Sequence, residues 1–179
     1  MFPITFTTTM DYQVFEDYFI FSMFRSKSYR TSKGIFFLPY ALMISLGLLL
    51  MTDEFSILAI ILLTVGSLVI SIFGYMFFIA PKRMFKKIGS IFQYPQNFEV
   101  FEDHFTVSQI GEDAKNYSYF KFSQVVNVYE THNAFYVFIT VSQAFIIPKK
   151  VLTQEEINRI SSLFLSIFDK KKFKICYKK

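Results

Sequence analysis

The chain has 179 residues, 53% of them apolar, with 25 Phe, 11 Tyr and a formal charge of +5. That length fits one modest domain or a small domain plus an appendage. A single cysteine, Cys176, excludes an internal disulfide. The opening "MFPITFTTTM" has no basic stretch followed by an apolar h-region, so it does not read as a signal peptide.

In chain order, "FPITFTT" (residues 2–8) reads as a short strand with Phe2, Ile4 and Phe6 on one face. A helix is expected from about Met10 to Phe24, with Thr9 as N-cap and Asp11 in the first turn. Its aromatic face, Tyr12, Phe15, Phe19 and Met23, suits either a protein surface or a headgroup layer. A basic, Ser-rich linker carrying Arg25, Lys27, Arg30 and Lys33 completes a first segment, residues 1–34.

Residues 35–80 form an apolar block whose only charges are Asp53 and Glu54. As one helix it would be about 69 Å long at ~1.5 Å per residue, over twice a hydrocarbon core of ~30 Å. It would also bury both acids near mid-length. Splitting it at the acids gives a transmembrane hairpin, residues 35–52 and 55–80, with Asp53 and Glu54 at a water-exposed tip. A pair of helices apolar all round is more than a chain of this size could bury as soluble core. Gly66, Ser67, Ser71 and Gly74 are the candidate helix-packing residues, with Gly47 on the first helix; Ser67, Ser71 and Gly74 share one face.

Basic residues flank the block on both sides: Arg25, Lys27, Arg30 and Lys33 before it, Lys82, Arg83, Lys86 and Lys87 after it. By the positive-inside rule both termini are expected in the cytoplasm of a multi-pass cell-membrane protein. Those eight cations become candidate contacts for the bilayer surface, including anionic lipid headgroups. Residues 81–96 read as a juxtamembrane linker.

From Asn97 the pattern changes to period two. Strands are expected in "NFEV", "HFTVSQI", "YSYFKF", "QVVNVYET", "AFYVFITV" and "AFIIP", joined by short turns as an antiparallel meander. "TQEEINRISSLFLSIF" has a capping-box start at Thr153 and Glu156 and an apolar stripe, so an amphipathic helix closes the domain, residues 97–168. Strand 2–8 cannot stand alone and is expected to join this sheet as a seventh strand. The fold class is therefore membrane α+β, with a helical hairpin inserted into an antiparallel sheet of about seven strands. Residues 169–179 form a lysine-rich tail that suits either anionic lipid or plain solvent.

Three stretches, "ITFTTTMDYQVFEDY", "IAPKRMFKK" and "VFEDHFTVSQIGEDAKNYSYFKFSQVVNVYETHNAFYVFI", resemble the YcxB-like family of small bacterial membrane proteins. The resemblance implies a pleckstrin-homology-like C-terminal region, a bent seven-stranded sheet capped by one helix. It implies no activity and no site residues.

The search for chemistry finds no catalytic, cofactor-binding or metal-binding residues. His104 and His132 fall in turns without paired ligands. Adjacent acids such as Glu102–Asp103 point apart, and neither a phosphate loop nor a nucleophile elbow is present. Cys176 reads as an incidental thiol. The expectation is a protein that is not an enzyme, needs no cofactor and binds no nucleic acid. It would present a binding or scaffolding domain at the inner membrane surface to a membrane or cytosolic protein partner. The alternative is an accessory subunit whose hairpin packs against a transporter or membrane kinase.

Overall fold

The computed structural model describes the chain except residues 1, 25–28, 51–56, 93, 111–114 and 178–179. It divides into two compact units: residues 1–19 with 85–179, and residues 20–84.

The first unit is built on two four-stranded sheets. The first holds β1 (Ile4–Thr8), β2 (Gln96–Val100), β3 (His104–Ile110) and β4 (Lys115–Lys121), all antiparallel in that order. The second holds β5 (Asn127–Glu130), β6 (Ala134–Phe138), β7 (Ala144–Pro148) and β8 (Phe173–Ile175), ordered β7-β6-β5-β8. The six strands expected after the hairpin all form, and strand 2–8 does join the sheet, with Ile4 opposite Val100 and Phe6 opposite Phe98. The expected single sheet of about seven strands is instead two. The chain breaks ladder at a 3₁₀ turn, Phe122–Gln124, and an eighth strand, β8, pairs in parallel with β5. The lysine-rich segment is thus ordered through that strand. Its lysines mask a short Phe-Lys-Ile alternation that one residue in two satisfies.

Inward side chains of both sheets meet α5 (Gln154–Ile167). Phe164 is the hub: its ring meets Phe122, Phe135, Phe168 and Phe173 at centroid distances of 5.8, 5.8, 5.9 and 6.1 Å. Such tilted and edge-on contacts suit the aromatic quadrupole. Thr153 caps α5 reciprocally: its hydroxyl accepts from the Glu156 amide at 3.3 Å, and its own amide donates to Glu156 Oε2 at 2.8 Å.

The outer face of the second sheet is covered as well. β6 is buried at all five positions because Phe135 and Val137 face the core while Tyr136 and Phe138 face α1 (Tyr12–Phe24). Tyr18 of α1 lies 5.5 Å from Tyr136 and 6.5 Å from Phe138, ring to ring. Asp17 accepts from Asn133, and Asp11 pairs with Lys150. The aromatic face of α1 therefore packs on protein, and Phe15 is only 5% exposed. Asp11, not Thr9, caps this helix: its Oδ1 accepts from the Val14 amide at 2.9 Å. Two residues later than expected, an Asp has the better geometry for a carboxylate cap.

In the second unit, α2 (Tyr29–Leu50) packs against α3 (Ile57–Gly74). A helix continues through a π-helical stretch, Tyr75–Ile79, into α4 (Ala80–Phe92). Residues 81–96 are therefore mostly helix rather than linker. Phe85 of α4 packs edge-on against Tyr12 at 5.6 Å and tilted against Phe15 at 5.5 Å, which gives that turn a reason to stay helical. One helix, Ile57–Ile88, is long and apolar enough to cross a membrane, and the apolar run of α2, Leu38–Leu50, is shorter.

The pairing of α2 and α3 is antiparallel and runs through glycine. A Cβ on Gly66 would come within 2.9 Å of Ile44 Cγ1, and one on Gly47 within 2.9 Å of Leu63 Cγ. Gly74 would meet nothing within 4 Å. Ser67 and Ser71 are exposed, so the expected Ser67–Ser71–Gly74 face is not the one that meets α2. The glycines win because backbone approach needs the missing side chain, which serine still has.

Gly66→Leu is expected to cost about 1–3 kcal/mol by overpacking α2, while Gly74→Ala stays neutral, as read by thermal unfolding in detergent. Thr153→Ala is expected to cost about 1 kcal/mol. Glu156 accepts from the Thr153 amide and hydroxyl, which holds its carboxyl below the ordinary 4.5. For Asp11, burial pulls upward, but the Lys150 hydrogen bond, the Val14 amide and the Lys150 charge outweigh it and hold the carboxyl below 3.8. Their contribution is present above pH ~4.5 and is lost as pH falls through the depressed values. Glu156→Gln should flatten that limb of the stability–pH curve.

Candidate functional site

The most concentrated polar chemistry among the described residues surrounds Glu130. Period two on β5 puts Val128 and Glu130 on the same inward side, so the carboxylate enters the core and is 1% exposed. Lys149, from the 3₁₀ turn after β7, donates to Oε1 at 2.8 Å. Ser161 of α5 donates to Oε2 at 2.7 Å. The Tyr177 hydroxyl, just beyond β8, also donates to Oε1. The Lys149 ammonium sits over two aromatic faces, 4.8 Å from the Phe135 centroid and 4.6 Å from that of Tyr177.

Burial, then the hydrogen bond to Glu130 and the Glu130 charge, push the Tyr177 hydroxyl well above its ordinary 10.0. A buried charge of this kind persists only when paired and hydrogen-bonded. Both carboxylate oxygens are engaged, so the arrangement offers neither a free base nor a free nucleophile. What it does is tie β7, α5 and the segment beyond β8 to one atom group on β5.

His104 is the first residue of β3 rather than a loose turn residue. Its ring stacks on Phe101 at 4.3 Å and lies 4.6 Å from Tyr119. Its Nδ1 lies 2.5 Å from Asp103, and that hydrogen bond holds the Asp103 carboxyl below 3.8. His132 is exposed, with its ring 6.3 Å from Tyr177. Among the described residues no three His, Cys, Asp or Glu side chains stand close enough to hold a metal ion.

A cleft of about 710 Å³ runs as an open groove along α5. Phe2, Leu163 and Ile167 give it an apolar floor, and Glu102, Glu155 and Arg159 line its rim. Its size is that of a ligand pocket, but Glu155 and Arg159 pair with each other in solvent across one helical turn, and no buried titratable group points into it.

The residues expected at the membrane fall as follows. Arg25, Lys27, Asp53 and Glu54 lie outside the described residues. Arg30 and Lys33 occupy the first turns of α2. Lys82, Arg83, Lys86 and Lys87 are all exposed on α4. At about 100° per residue they share one side of that helix, roughly 140° wide. Arg83 also lies 5.7 Å from the Tyr75 ring centroid. Of the expected packing residues, Gly66 approaches α2 closely and Gly74 does not, while Ser67 and Ser71 are exposed.

Sequence reasoning missed Glu130, Lys149, Ser161 and Tyr177. One signal was there: Glu130 shares its parity with Val126 and Val128, which places a lone acid on the apolar side of the strand. Its three partners come from separate elements, and spacing could not have united them.

Removing the carboxylate should leave Lys149 buried without its counter-charge. Glu130→Ala is expected to cost about 3–5 kcal/mol, and Glu130→Leu with Lys149→Met to recover most of that loss. Chemical denaturation of the single and double variants checks both.

Residues 100–164 match the family described as YcxB-like protein. The match runs from the end of β2 through most of α5, and so includes Glu130, Lys149 and Ser161 but not β1, the apolar helices or β8. No curated protein matches the chain, and no solved structure does. Residues 100–164, which carry Glu130, Lys149, Ser161 and the hub Phe164, are thus similar to the YcxB-like proteins.

Proposed function

We propose that the chain is a multi-pass membrane protein whose α2–α3 hairpin crosses the bilayer twice and holds the YcxB-like domain at the inner surface as a binding or scaffolding module. The observation that carries this reading is the helix Ile57–Ile88: 32 residues long, with only 11% of its most apolar window buried. α3 exposes Ile57, Leu58, Ile61 and Leu68, and α2 exposes Leu38, Leu42 and Leu46. Water does not tolerate a contiguous apolar surface of that extent, and lipid does.

The hydroxyls on these helices point the same way. Ser45, Thr64 and Ser71 each donate to a backbone carbonyl one turn earlier, at 2.9, 2.7 and 2.8 Å. A side chain in hydrocarbon has to satisfy itself in that manner. The cationic side of α4 favours the cytoplasmic leaflet, with about 1 kcal/mol per cation available from anionic headgroups. The tip at residues 53–54 then faces outward. The domain reads as a binder rather than a catalyst because the Glu130 cluster is closed and the groove along α5 is open.

One observation favours the second reading, an accessory subunit. Ser67 and Ser71 give α3 a small-residue face that α2 leaves uncovered, the kind of face against which another membrane helix packs.

Alkaline carbonate is expected to leave the protein in the membrane pellet. In a Cys176→Ser background, Asp53→Cys should react with an impermeant maleimide on intact cells, and Lys171→Cys only after permeabilisation. Release by carbonate, or labelling at 171 on intact cells, would overturn the topology. Loss of a crosslinked membrane partner on Ser71→Leu, with the hairpin still inserted, would select the second reading.

A further inference from the structure

The edge of β5 that faces away from β6 is covered by this chain's own last segment. β8 lies on it in parallel, with Val128 opposite Phe173, Tyr129 opposite Lys174 and Glu130 opposite Ile175. The Val128 amide donates to the Lys172 carbonyl at 2.8 Å, and the Cys176 amide donates to the Glu130 carbonyl at 2.7 Å. Phe173, 5% exposed, fills a core position against Phe164. Tyr177 closes the far end on Glu130, with Lys149 over its ring. Backbone pairing, one aromatic socket and one buried polar end are the elements by which sheet edges take up extended peptides.

The occupant is held by a short and crowded connection. Between the core residues Phe168 and Phe173 lie only Asp169 and three consecutive exposed lysines, Lys170, Lys171 and Lys172. The turn closes because Asp169 Oδ1 accepts from the Lys171 and Lys172 amides at 3.1 and 2.9 Å. Three cations repel one another in that turn and would separate if it opened. Opened fully, the five steps from Phe168 to Phe173 reach about 17 Å. β8 itself has three residues, below the usual strand length of about 5–6.

We propose that residues 169–177 exchange between two copies of this chain, β8 of one seating on β5 of the other. The occupant is fixed by what already fits: a second copy carries the identical segment and remakes every contact, so only the hinge changes. Exchange of an identical element is a low-cost route to a two-fold dimer, and short hinges favour it. The inference does not rest on the membrane reading, since every group it uses lies in the sheet unit.

The test uses full-length protein in detergent in a Cys176→Ser background. Chains carrying Tyr129→Cys and size-tagged chains carrying Lys174→Cys are co-expressed and oxidised. The expected result is a disulfide between chains of different size, several-fold more abundant when Asp169→Ala opens the hinge. A chain carrying both cysteines shows whether the pair can bond within one molecule. Bonding there, with no product between chains even with Asp169→Ala, overturns exchange. As an independent measurement, donor and acceptor dyes are placed on Lys174→Cys in two populations. Energy transfer that Phe173→Asp abolishes supports exchange. Transfer that Phe173→Asp leaves unchanged, or no transfer at all, overturns it.

Discussion

A strand that is apolar on both sides has to be covered twice, and β6 is such a strand. "AFYVF" sends Phe135 and Val137 one way and Tyr136 and Phe138 the other. The first pair is met by α5 and the inner face of the other sheet. The second pair is met by α1, which is why a helix from the start of the chain lies on strands from its far half. Once α1 is committed to that surface, β1 just before it is delivered to β2, and the first sheet gains its edge strand. The hydrophobic demand of five residues thus fixes the placement of elements over a hundred residues away in sequence.

Glu130 imposes the second constraint, of the opposite kind. A carboxylate forced into the core by strand parity needs partners, and no single neighbouring element supplies them all. Lys149, Ser161 and Tyr177 come from three places, so the groups that satisfy the charge also pin the strand order β7-β6-β5-β8. Buried ion pairs add little net stability compared with apolar packing, yet they penalise arrangements that leave the charge alone. Here the penalised alternatives include every arrangement in which the last segment leaves the β5 edge empty.

Much of the architecture was legible in the residues themselves. Alternation marked β1 to β7, the Thr153–Glu156 box marked the start of α5, and the acid-interrupted apolar block marked two helices. What was hidden had physical causes. β8 was concealed because lysines occupy three of the positions around Phe173 and Ile175, so composition outvoted periodicity. α4 looked like a linker because its cations lie on one side of a helix whose other side is held by Phe85. The face of α3 that meets α2 was misassigned because small residues indicate only where approach is permitted. The choice between Gly66 and the Ser67–Ser71–Gly74 stripe depended on Ile44 and Tyr40 of the opposing helix, which a single helix pattern does not contain.

The pairing of β1 with β2 spans the whole apolar hairpin, as in the Thr7–Asn97 hydrogen bond between residues 90 apart. During synthesis at about 5–20 residues per second, β1 emerges roughly 5–20 s before its partner exists. In that interval the α2–α3 pair, closed by contacts near in sequence, has time to form first. Loop-closure entropy grows only with the logarithm of the number of residues enclosed, so the long helical insert adds little to the cost of bringing an early strand to a late one.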